Sequence, residues 1–174
     1  MHGLTIEPTT QTRELGIHED FHRFITDTQY EYKGNLCISL MTQYIEKKHD
    51  TLWTRILFDG KMIGMMVIES PKASPFKRIY ALQHLILKPE YRGKGIGTDI
   101  LSYVIEEYRG YPVFLSCYKK RLSKFYGKNG FKYMAIGDLS PTEKKLFNSN
   151  EKYVHCTEKI TQFQIRWAEQ CFNL

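Results

Sequence analysis

Apolar residues recur along this chain with two periods, and the change from one to the other divides it into elements. Helical spacing runs over Arg13–Asp27 and again over Asn35–His49, where Leu36, Leu40, Tyr44 and Ile45 fall on one face. A short strand, Leu4–Glu7, precedes them. From Leu52 the chain reads as extended: Leu52–Phe58 and Met62–Ile68 flank Asp59-Gly60, a dipeptide that tight hairpin turns prefer. Arg78–Leu87 is a further strand, nearly continuous in apolar residues from Leu82 and therefore expected inside a sheet. Helical period returns with Ile96, Ile100, Leu101, Val104 and Ile105, and Gly110 ends it before the strand Val113–Cys117. Leu122, Phe125 and Tyr126 mark a short helix closed by Gly130. Phe131–Ile136 and Tyr153–Ile160 then read as strands, and Gln162–Phe172 as an amphipathic C-terminal helix. The order is mixed α/β, with a strand, a glycine loop and a helix at its centre.

Composition adds the outer bounds. A chain of 174 residues, 42% hydrophobic and 14% aromatic, is expected to fold as one domain, 1–174, around a core of its own. No apolar run approaches the roughly 18 residues of a membrane span, and the opening MHGLTIEPTT lacks the charged and apolar regions of a signal peptide. The expectation is a cytoplasmic protein with no membrane partner. Cys37, Cys117, Cys156 and Cys171 form no CxxC pair and read as packing residues. The net charge of +6 is unevenly spread: residues 1–50 hold five basic and eight acidic side chains (−3), residues 51–174 twenty and eleven (+9). That division suggests an anion met by the C-terminal part and a cation by the N-terminal part.

The candidate anion site is Arg92-Gly93-Lys94-Gly95-Ile96-Gly97, at the mouth of the central helix. A helix N-terminus offers unpaired N–H groups and about half a positive charge, and together these bind phosphate. Glycines let the backbone approach an anion, and Arg92 and Lys94 add charge. No GxxxxGK[ST] is present, and the GxGxG spacing differs from the dinucleotide GxGxxG.

The loop resembles the [RQ]xxGx[GA] signature of the GNAT superfamily of acyl-CoA-dependent N-acetyltransferases. Leu85-Ile86-Leu87-Lys88-Pro89-Glu90 is similar to the apolar strand and proline that precede it there, and Phe125-Tyr126-Gly127-Lys128-Asn129-Gly130-Phe131 matches the family's FYxxxGF segment downstream. The resemblance implies a mixed α/β GNAT-like domain whose central, mostly antiparallel sheet is splayed at the CoA site, with flanking helices and here an extra C-terminal one. Residues 1–50 would be acceptor-side helices, 52–136 the CoA-binding core and 151–174 the last strand and C-terminal helix. It further implies that acetyl-CoA is the cosubstrate, that the backbone of Gly93, Lys94, Gly95, Ile96, Gly97 and Thr98 holds its pyrophosphate, and that Leu85, Ile86 and Leu87 pair with the pantetheine arm. Leu87 is the family's position for the N–H that meets the developing oxyanion, and Tyr126 the position of the phenol that protonates the leaving thiolate. Between Lys119 and Lys132 lie six cations and no acid, a surface for the adenosine phosphates in which Lys119 and Lys128 are candidates.

The sequence also departs from the family. Many members carry a glutamate base six residues before the position of Leu87, and here that residue is Ala81. His84, in the same strand, is the remaining candidate base, against a reading as a hydrogen-bonded core histidine. Two other classes compete with the transferase: a catalytically silent CoA-binding regulatory module, against which Tyr126 speaks, and a zinc hydrolase suggested by His18-Glu19-Asp20-Phe21-His22, an HExxH spacing with no third ligand apparent. The expectation is an enzyme without a metal, transferring acetyl to a primary amine. The acidic, aromatic N-terminal part favours a cationic small molecule; a protein amine, an aminoacyl-tRNA and a homodimeric assembly stay open.

Overall fold

In the computed structural model, which describes residues 3–9, 15–28, 50–70, 80–117, 119–134 and 153–157, the period-2 stretches become one sheet. The elements in chain order are β1 (Leu4–Pro8), α1 (Leu15–Thr28), β2 (Asp50–Phe58), β3 (Lys61–Ser70), β4 (Tyr80–Leu87), a single 3-10 turn (Pro89–Tyr91), α2 (Ile96–Glu107), β5 (Val113–Cys117), α3 (Lys120–Lys128), β6 (Lys132–Met134) and β7 (Tyr153–Cys156). The expected helices over 35–49 and 162–172 lie outside the described residues, as do the far ends of the last two expected strands.

The sheet order is β1-β2-β3-β4-β5-β7-β6. Every junction is antiparallel except β4–β5, which is parallel and is bridged by α2. The β2–β3 hairpin turns at Asp59 and Gly60, both at positive φ (48° and 73°), the geometry foreseen from that dipeptide.

Side-chain alternation sends the two faces of the sheet to different helices. Ile56, Ile63, Met66, Ile68, Leu82, Val113 and Leu115 pack with Ile96, Ile100, Leu101 and Val104 of α2, and Phe125 and Tyr126 of α3 close the edge of that core. On the opposite face, Trp53, Met65, Val67 and Ile86 receive Phe21, Phe24 and Ile25 of α1. Phe21 is fully buried with its ring edge-on to Trp53, centroids 5.4 Å apart. Arg55 of β2 ties α1 to the first strand as well, holding Asp20 at 2.6 Å and Glu7 at 2.8 Å.

Candidate active site

The site begins with a failure of pairing in the middle of the sheet. β4 is matched to β3 from Glu69↔Ala81 to Gly64↔Leu87, yet to β5 only at Tyr80↔Val113 and Ala81↔Phe114. Beyond those two pairs β5 turns to β7 on its other side, from Phe114↔Cys156 to Cys117↔Tyr153. The strands therefore part in a V that opens toward Leu87. A bulge accompanies the parting: Val67 faces His84 and Ile68 faces Leu82, so Gln83 is the extra residue in β4.

Hydrogen-bond parity fixes what β4 shows to this opening. The Lys88 N–H donates to the Ile63 carbonyl at 2.8 Å, on the β3 side. Main-chain groups alternate along an antiparallel strand, so the N–H and C=O of Leu87 and Leu85 face the other way, into the gap. The guanidinium of Arg92 agrees with this, since its Nε and Nη2 donate to the Leu87 carbonyl at 2.8 and 2.6 Å. Arg92 thereby fastens the loop to the end of β4, a role beyond the added charge anticipated for it.

The glycine loop runs from this strand end to α2. Gly95 is the N-cap, in the left-handed region at φ 85°, where a side chain would be strained, and no side chain caps the helix end. Its carbonyl takes the N–H groups of Thr98 (2.8 Å) and Asp99 (3.2 Å), while those of Ile96 and Gly97 belong to the first turn, which has no carbonyl behind it. Gly97 was expected to clear space for an anion. It also clears space for a ring: a Cβ there would lie 3.0 Å from Cζ of Phe125 on α3. Lys94 is exposed, its ammonium 5.6 Å above the Tyr91 ring.

The FYxxxGF segment has a physical explanation in the end of α3. The cap is Asn129, and the N–H of Phe131 donates to the carbonyl of Tyr126 at 3.2 Å, with Gly130 between them at φ 88°. This six-to-one closure needs a residue without Cβ at Gly130 and sets an apolar contact between its two ends, here Tyr126 and Phe131 with ring centroids 6.1 Å apart. Tyr126 is half-buried and also stands 6.0 Å from the ring of His155.

Two residues not foreseen hold this helix. His155, on β7 and 1% exposed, bonds through Nδ1 to the Phe131 carbonyl at 3.1 Å and through Nε2 to the Ser123 hydroxyl at 3.0 Å. A carbonyl only accepts, so Nδ1 carries the proton and Nε2 accepts from Ser123; burial depresses the His155 pKa, partly offset by the bond to Phe131, consistent with a neutral ring. Nothing in YVHC signals this beyond a lone histidine in a strand.

His84 lies on the α1 face, opposite Val67. Its Nε2 is buried without a hydrogen-bond partner, and desolvation pushes its pKa down to about 4. It is a neutral imidazole near pH 7. Lys119 and Lys128, at the two ends of α3, are exposed, as are Lys120, Arg121, Lys124 and Lys132. The HExxH segment is used otherwise: Asp20 is engaged by Arg55, Phe21 lies in the core, and His22 and Glu19 are exposed. Among the described residues no three His, Cys, Asp or Glu side chains come together as metal ligands, and no helix is long and apolar enough to cross a membrane.

A splayed parallel junction beside a glycine-capped helix defines the acetyltransferase class, and comparison with known proteins agrees. Residues 49–133 match the family described as the acetyltransferase (GNAT) domain, and over that segment the chain is a member of this family, which uses acyl-CoA. No curated protein sequence matches it. Similar solved structures include a GNAT-family acetyltransferase from Staphylococcus aureus Mu50 (20% identity, TM-score 0.61, covering 89% of this chain and 99% of that one). Arabidopsis thaliana Naa50, solved with the bisubstrate analogue CoA-Ac-MVNAL, aligns at 14% identity and TM-score 0.55 over 90% of this chain and 99% of its own. An aminoglycoside acetyltransferase from an uncultured soil metagenomic sample, solved with trehalose, aligns at 18% and 0.55 over 73% and 87%. At these identities the structures establish the fold.

Proposed function

We propose that this acetyltransferase moves the acetyl group of acetyl-CoA to a primary amine by direct attack in a ternary complex. The observation that carries the reading is the gap beside β4, into which Leu85 and Leu87 aim their main-chain groups and which leads to the uncapped end of α2. Acetyl-CoA supplies a thioester. Leu85, Ile86 and Leu87 offer its pantetheine arm a strand edge, which recognises amides without needing particular side chains. The backbone from Gly93 to Thr98 receives the pyrophosphate, and Lys119 and Lys128 the adenosine phosphates. The N–H of Leu87 stabilises the negative charge that attack puts on the carbonyl oxygen. Tyr126 gives its phenolic proton to the departing sulfur, a thiol of pKa about 8.5 beside a phenol of pKa about 10.

For the acceptor, a cationic small amine fits the acidic N-terminal part, and the likeness to an aminoglycoside acetyltransferase supports that choice. The likeness to Naa50 keeps a peptide amine as the alternative. Acetyl-CoA should raise the melting temperature, since a ligand bound only by the native state stabilises it. In an acetyl-transfer screen across amines, Tyr126→Phe should keep acetyl-CoA affinity and lose roughly 10²–10⁴ in kcat. No thermal shift with CoA, or full activity in Tyr126→Phe where chemistry limits the rate, would refute the assignment.

A further inference from the structure

The strand that gives many relatives their carboxylate base has Ala81 at that position, so the proton of an attacking ammonium needs another acceptor. The residue directly across from Ala81 in the neighbouring strand is Glu69. Directly paired residues of an antiparallel ladder share a face, with Cβ atoms about 4.5–5.5 Å apart. Glu69 and Ala81 therefore stand on the same side of the sheet as the pair Val67 and His84, the α1 side.

The Glu69 side chain is tied to β4. Its Oε2 accepts a hydrogen bond of 2.7 Å from Nε2 of Gln83, the bulge residue of β4. The carboxylate thus reaches over β4, the strand whose far edge opens on the gap, and is held there by the residue that interrupts the β3–β4 ladder. Without the bulge, and with His84 held opposite Val67, Gln83 would alternate onto the α2 face and send Leu82 to the α1 face; with it, Gln83 and His84 fall in succession on the Glu69 side. His84, next in the strand, lies on the same side of the sheet with its Nε2 buried.

We propose that Glu69, held by Gln83, receives the proton of the incoming ammonium, directly or through one water, so that β3 provides the carboxylate that β4 lacks. This rests on the amine-acetyltransferase reading above. Of the two protons the nitrogen loses, Glu69 takes one and passes it to solvent. The other balances the proton that Tyr126 gives to sulfur, as the C–N bond forms and the C–S bond breaks. The negative charge also selects cationic acceptors.

The test compares putrescine, protonated at neutral pH, with methoxyamine, which is already neutral there and needs no base. Glu69→Gln keeps an oxygen for Gln83 to bond. Its kcat/KM for putrescine should fall by roughly 10²-fold or more at pH 7, and for methoxyamine by less than about 3-fold, with acetyl-CoA affinity unchanged. Equal losses with both amines, or none with either, overturn the role. A second measurement is independent of turnover: in the CoA-bound wild type, the ¹³C signal of the Glu69 carboxylate should move as putrescine is added. Should the wild type acetylate neither amine, the transfer reading for small amines fails, and this titration alone decides Glu69: a shift supports it and a static signal overturns it.

Discussion

Single residues in the loop divide its duties in a way their spacing hides. Gly95 is required for its dihedral angle, and an alanine there costs about 1–2 kcal/mol in the left-handed region. Gly97 is required for the Phe125 ring that lies against it. Gly97→Ala is therefore expected to act on α3, lowering kcat through a displaced Tyr126 more than it weakens acetyl-CoA binding, whereas Gly95→Ala weakens binding and stability together. Calorimetric binding beside steady-state kinetics separates the two patterns; identical effects would mean that the Phe125 contact transmits nothing. His84 makes a different kind of prediction. Its folded pKa, near 4, lies below the ordinary 6.5, so the unfolded chain binds a proton that the native protein refuses. Stability should fall as pH drops from about 6.5 toward about 4, by up to about 3 kcal/mol from this residue, with His155 adding in the same direction. His84→Leu should flatten that slope in urea titrations at pH 7 and pH 5. An unchanged slope would show His84 to be accessible to protons. At this scale the sequence was legible in position where a motif names a residue, with Gly95 at the mouth of α2 and Tyr126 on α3. Glu69, Ser123 and His155 were not, because each acquires its meaning from a partner at least 14 positions away.

The helix α3 carries little buried surface of its own and none of its residues is fully buried. Its position depends on its two fastenings, the six-to-one closure at Gly130 and the Ser123–His155 bond. Ser123→Ala would leave a buried imidazole nitrogen without its donor, which costs about 1–3 kcal/mol. The expected outcome is that loss in chemical denaturation, with kcat reduced more than acetyl-CoA affinity; a variant as stable and active as the parent would make the bond incidental. Elements with strong periodicity were readable in advance: the hairpin, β4, α2 and β5 lie within a few residues of their expected bounds. The bulge was not read, although Gln83-His84 interrupts an otherwise apolar strand, YALQHLIL, and two polar residues in succession inside such a run are the mark such an irregularity leaves.

For the molecule as a whole, the sheet order could not come from periodicity, since β7 enters between β5 and β6 and only tertiary pairing decides that. The division of charge could, with the basic surface of α3 in the C-terminal part and the acidic Glu7, Asp20 and Asp27 in the N-terminal part. The parting of β4 from β5 was expected from the family resemblance and has a consequence for the protein without its cosubstrate. A sheet normally keeps unsatisfied strand edges at its borders, where charge or a bulge protects them. Here one lies at the centre, so two classes of amide should alternate along a single strand. In hydrogen–deuterium exchange the free protein should protect Ile86 and Lys88, whose N–H groups turn to β3, and leave Leu85 and Leu87 to exchange rapidly. Acetyl-CoA should slow Leu85 and Leu87 alone. Uniform protection of all four before ligand is added would mean that the gap is closed in solution. If the alternation is seen, the free enzyme carries a vacant lane for a strand in its interior, and the cosubstrate occupies, for the length of one turnover, the place of an eighth strand.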